Sequence, residues 1–129
     1  MVKRLASNYL QKKLYELLIA KSLTVLDVVT TDDVLPYVII GEDREQKNKH
    51  SKDEDYKIIE TSIEIFTEKN GFKEGKTIQE QIYNLLDESS LTLDNFEVKE
   101  IEMDTYSNSN SKEFLVSGID LEITLKQTS

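Results

Sequence analysis

The residues able to do chemistry are few, and their spacing does not let them cooperate. His50 is the single histidine, and it stands in a charged stretch without an apolar neighbour. Neither a catalytic triad nor a multi-histidine metal site can be built around it. Cysteine is absent, which removes thiolate nucleophiles, disulfides and Cys-based zinc or iron–sulfur centres. The acidic runs Asp32-Asp33 and Asp53-Glu54-Asp55 offer hard oxygen ligands but lack the spacing and central glycine of a calcium loop. Glu60 and Glu64 would make an acid–base pair in a pocket, yet they alternate with apolar residues as on a wetted sheet face. Gly41, Gly71, Gly75 and Gly118 are too scattered for a phosphate loop, and Ser89-Ser90 comes after a helical pattern instead of a strand. Tyrosines and phenylalanines occur singly and do not alternate with basic residues, so no base-stacking platform is indicated. The expectation is a protein that is not an enzyme and uses no cofactor or metal.

Composition narrows the partners. The chain has 129 residues, 38% hydrophobic and 32% charged, which suits one domain with a heavily solvated surface. Its formal net charge of −9 and pI of about 4.6 oppose binding to a phosphate backbone or an anionic membrane surface. Lys3 and Arg4 open the chain with positive charge, but Asn8, Gln11, Lys12 and Lys13 prevent an apolar run behind them, so no signal peptide is read. The sequence reads as soluble and made in a cytoplasm.

Periodicity supplies the elements. Leu5, Leu10, Leu14, Leu17 and Leu18 share one face of a helix over Arg4–Ala20. A short extra strand is expected near Thr24–Val29, and Pro36–Glu42 reads as a strand covered on both faces. Tyr56–Thr67 alternates, with Ile59, Ile63 and Ile65 on one side and Glu60, Ser62 and Glu64 on the other. A second helix spans Lys73–Glu88, its stripe made by Ile78, Ile82, Leu85 and Leu86. In the strand from Phe96 to Thr105 the phase slips between Phe96/Val98 and Ile101/Met103, which predicts a bulge. The last strand, Glu113–Lys126, puts Leu115, Ile119, Leu121, Ile123 and Leu125 on one face. The fold class expected is α+β: a four-stranded, mainly antiparallel sheet with two helices packed on one face, in a single domain over residues 1–129. Residues 43–55 and 105–112 are polar throughout and are read as mobile loops.

The first helix, the strand Leu35-Pro36-Tyr37-Val38-Ile39-Ile40-Gly41-Glu42, Ile63-Glu64-Ile65-Phe66, Gly71 before a helix, Leu91-Thr92-Leu93-Asp94-Asn95, and Ser117-Gly118-Ile119-Asp120-Leu121-Glu122-Ile123 occur in a telling order. Together they resemble the tail-completion, or tail-to-head joining, proteins of long-tailed phages, a group related to tail terminators. The resemblance implies a structural protein, without catalytic residues, that forms a ring of six at the head-proximal end of the tail tube. There it would end tube growth and meet the head–tail connector. The implied partners are further copies of the chain, tail-tube protein and connector protein. DNA would only pass through the channel, and no membrane is involved. The implied location is the virion tail, after assembly in the host cytoplasm.

The surfaces expected to meet partners are the apolar strip Tyr37, Val38 and Ile40, the loop residues Asp43, Arg44, Glu45, Lys47, Lys49, His50, Lys52, Asp53 and Asp55, and Tyr106 in the second loop. The two loops are expected to order on contact with the tube or connector. With −9 on every copy, part of the acidity is expected to line the channel and keep DNA from sticking. The alternative from charge alone is a small acidic inhibitor or immunity-type protein that binds a basic partner.

Overall fold

The fold is that of a computed structural model, which describes residues 4–27, 33–47, 56–87, 91–108 and 114–128. The elements run α1 (Ser7–Ala20), β1 (Tyr37–Ile40), β2 (Arg44–Lys47), β3 (Tyr56–Glu68), α2 (Phe72–Asp87), β4 (Phe96–Asn108) and β5 (Phe114–Gln127). The sheet order is β1-β3-β5-β4, with β2 also on β3, and all four strand pairings are antiparallel. The α+β class holds, with five strands in place of four. The additional strand arises because one edge is built in two pieces: β1 pairs Ile40 with Ile63 and β2 pairs Arg44 with Glu60. Three residues therefore face two where the pieces meet, and the Gly41 amide still bonds the Ser62 carbonyl at 2.7 Å.

β3 and β5 pair along thirteen consecutive positions, from Tyr56↔Lys126 to Glu68↔Phe114. Side chains directly opposite in an antiparallel pair share a face, so the odd-numbered residues of both strands point the same way. The apolar ones are Ile59, Ile63, Ile65, Leu115, Ile119, Leu121, Ile123 and Leu125, each at most 2% exposed. The bulge expected in β4 lies between Val98 and Glu100, and it brings Val98, Ile101 and Met103 opposite Leu125, Ile123 and Leu121 on that same face. The two apolar phases of β4 thus serve one core. Val98, Ile101 and Met103 are only half-buried, however, while their β5 partners are fully buried.

Both helices cover this face. Leu10, Leu14 and Leu18, spaced by four, are each 1% exposed in a core cluster with Ile59, Ile63, Ile123, Ile82 and Leu86. α1 ends in a Schellman-type closure: the amides of Leu23 and Ser22 bond the carbonyls of Leu18 and Ile19, with Ser22 in the left-handed region at φ 63°. The helix starts three residues later than its apolar pattern suggests, and Leu5 lies outside it, 65% exposed. The early segment expected as a strand makes one parallel bridge, Val25 to Val38, closed by the bonds Leu26 N–H to Val38 O and Val38 N–H to Thr24 O.

α2 sits close because of small residues. A Cβ on Gly75 would come within 2.8 Å of the Ser117 hydroxyl, with the Thr67 side chain beyond. One turn on, Gln79 is 6% exposed and its amide donates to the carbonyls of Gly118 (2.9 Å) and Tyr106 (3.0 Å) on neighbouring strands. Buried carbonyls left unpaired are costly. Gln79→Leu is therefore expected to destabilise the fold by about 1–3 kcal/mol, read from the urea midpoint. An unchanged midpoint would mean that those carbonyls find other donors.

Candidate assembly interface

The second face of the sheet bears the even-numbered residues, and among the described residues no helix lies over it. Strand register turns scattered acids into rows. Glu60 lies opposite Glu122, which lies opposite Glu102; in the next row Asp120 lies opposite Asp104. Glu60, Glu102, Asp104 and Asp120 are exposed and Glu122 is half-buried. Together with Glu42 and Asp43 they line a shallow depression whose one cation among the described lining residues is Arg44, paired across from Glu60. Like charges directly opposite each other destabilise a sheet by a few tenths to ~1 kcal/mol per pair. A face built this way stays hydrated or is matched by something outside the chain. Among the described residues no cluster of three or more acidic or histidine side chains is placed to hold a metal ion.

At one end the same face becomes apolar. The Tyr37 and Phe66 rings stack with centroids 5.2 Å apart, and Phe114 meets Phe66 edge-on at 5.3 Å. Between this corner and the acidic rows lies Tyr106, whose ring occupies the space a Cβ on Gly118 would need, so only glycine fits beneath it. Burial pushes the Tyr106 hydroxyl above its ordinary value, and the charges of Glu64 and Asp120 add to the effect.

The residues expected at partner contacts are thereby separated. Tyr37, Asp43, Arg44 and Tyr106 belong to the open face or its rim, although Tyr37 is itself buried, 7% exposed. Val38, 2% exposed, and half-buried Ile40 point to the core instead. Arg44, Glu45 and Lys47 are strand residues of β2, not loop, because they pair with Glu60, Ile59 and Lys57. Thr105–Asn108 likewise continue β4. Lys49, His50, Lys52, Asp53 and Asp55 lie outside the described residues, as do Asp32 and Glu54.

Glu45 turns inward, and its side chain is 11% exposed. One carboxylate oxygen accepts from the Ser7 amide at 2.9 Å, the other from the Ala6 amide at 3.0 Å and the Lys57 ammonium at 2.8 Å. Lys57 also donates to the Arg4 carbonyl. Ala6 has no polar side chain with which to cap α1, so the carboxylate of Glu45, thirty-nine residues on, does so. Burial alone raises this carboxyl, but the bonds from Lys57, Ala6 and Ser7 outweigh it and hold it below its ordinary value. Sequence reading missed both this cap and the acidic rows. The alternation within each strand was visible; the register between strands was not.

The family model described as tail completion protein gp17 matches residues 12–121. A comparison with curated proteins finds no match. Among solved structures, a chain in the virion of a native gene transfer agent (GTA) particle is similar, with a TM-score of 0.74 at 15% identity. The alignment covers 96% of this chain and 99% of that one, and at that identity the likeness is one of fold.

Because the folded carboxyl of Glu45 is held low, its stabilising contribution is present above the ordinary carboxylate range and fades as pH falls through the folded value. Glu45→Ala is expected to lower stability by about 1–2 kcal/mol at neutral pH, with the gap from the native chain closing in acid. A gap that stays constant with pH, measured by thermal melts, would show that the charge of Glu45 does not hold α1.

Proposed function

The chain belongs to the tail completion protein gp17 family of phage tail structural proteins, and on that premise we propose that it is a ring subunit closing the head-proximal end of the tail tube. Six copies form the ring. It stops addition of further tube protein and presents a surface to the head–tail connector. Its work is assembly and involves no catalytic step. It is built into the virion tail after synthesis in the host cytoplasm.

The observation that carries this reading is the pairing of a family match over most of the chain with a sheet that is packed on one side and acidic on the other. Rows of facing carboxylates such as Glu60–Glu122–Glu102 cost a lone domain stability. A channel wall gains from them, since DNA phosphates are repelled over roughly a Debye length, ~8 Å at physiological salt, and slide past without binding. The open face is accordingly assigned to the channel, and the helices to the outside of the ring. The family match, and not the charge, decides between a tail subunit and an acidic inhibitor.

Light scattering on the purified chain, alone and mixed with tail-tube protein, measures the assembly. The expected mass is that of six copies, either in the chain alone or once tube protein is added. A monomer indifferent to tube protein contradicts the reading and favours the inhibitor. In assembled rings, Glu102→Lys with Glu122→Lys is expected to create retention of DNA fragments at low salt that the native ring lacks.

A further inference from the structure

The helical layer is incomplete over β4. Val98, Ile101 and Met103 stay half-buried beside Leu93, forming an apolar groove along that sheet edge with Glu97 and Glu100 on its rim. Helix α1 carries what such a groove lacks. On its outward side Tyr15 is 42% and Ile19 44% exposed, an apolar pair one turn apart, with Lys12 exposed one turn before Tyr15. The stretch from Arg4 to Leu26 contains Arg4, Lys12, Lys13 and Lys21 against Glu16 as its one acidic residue, although the whole chain is at −9. The groove's lining is the reverse: Asp87, Glu97 and Glu100 against Lys99, which is paired to Glu97 at 3.0 Å.

Lys12 lies near Leu93 and Asp94 of its own chain, but the Tyr15 flank of α1 does not reach the groove there. Leu10, Leu14 and Leu18 fix α1 on its own sheet, and the Tyr15 flank faces Ile40 of β1, at the sheet edge opposite β4. We propose that the outward stripe of α1, Lys12–Tyr15–Ile19, seats in the β4 groove of a second copy of this chain, the ammonium of Lys12 meeting the acidic rim. This rests on the ring reading above and names the contact that builds the ring. The lengths agree: Lys12 to Ile19 spans ~10 Å along a helix, and Glu100 to Met103 spans ~10 Å along a strand. Such a contact joins two different patches, so it propagates in one direction and closes into a ring when the rotation per step fits. It also lies along the β4 edge, which leaves the rows Glu60–Glu122–Glu102 and Asp120–Asp104 free for the channel.

The absence of cysteine in the native chain permits a direct test. In rings assembled with tail-tube protein, a chain carrying both Ile19→Cys and Met103→Cys is oxidised under mild conditions. The expected product is a ladder of cross-linked oligomers ending at the ring, while each single variant gives none. Mixing the two single variants is expected to yield cross-linked dimers only. A charge test accompanies it: Glu100→Lys should raise the concentration needed for half-assembly about tenfold, and added Lys12→Glu should recover most of that. Rings of correct mass that give neither cross-link nor charge rescue overturn this contact and leave the ring reading intact. Failure of any ring to form, with or without tube protein, removes both.

Discussion

The pairing of β3 with β5 fixes everything else in this molecule. Thirteen positions in one register send every odd-numbered residue of two long strands toward the helices and every even-numbered one toward the open side. A slip of β3 by one residue against β5 would carry Glu60 and Glu64 into the core and Ile59 and Ile63 out of it. The isoleucines and leucines therefore enforce the register by burial, and the carboxylate rows are its consequence. One interaction thus decides both where the fold gains its stability and where its charge is displayed. The open face accepts repulsion between neighbouring acids, which the fold itself does not require.

Polar contacts then place the helices on this frame. Glu45 reaches from β2 to the bare amides of Ala6 and Ser7 and fixes the start of α1. Gln79 reaches from α2 to carbonyls of β4 and β5, and Gly75 lets the helix approach Ser117. Apolar burial alone would tolerate sliding of either helix along the sheet. These directional bonds remove that freedom, so the outward stripe of α1 keeps a fixed position relative to the β4 edge.

Much of this was legible in the sequence, and what was not shares one physical cause. The alternation in β3 and β5 and the i, i+4 leucines of α1 are local patterns, and each gave its element with ends within a few residues. The phase slip between Val98 and Ile101 located the bulge for the same reason. β2 was read as loop because Arg44-Glu45-Gln46-Lys47 has no apolar residue; it is a strand through its pairing with β3. Leu5 fits the helical stripe by spacing, yet α1 begins only where Glu45 caps it. Val38 was expected at a partner surface and lies in the core, its edge already bonded to Thr24 and Leu26. The acidic rows needed strand order and register, which join residues as distant in sequence as Glu60 and Glu122 and which no local pattern encodes.

An electron-microscopy reconstruction of the ring assembled at the end of a tail tube would show which way the two faces of the sheet point. The predicted result is six copies with Glu60, Glu102 and Glu122 facing the central opening and both helices on the outer side. A ring in which those carboxylates are buried between subunits, or turned to the exterior, would contradict it.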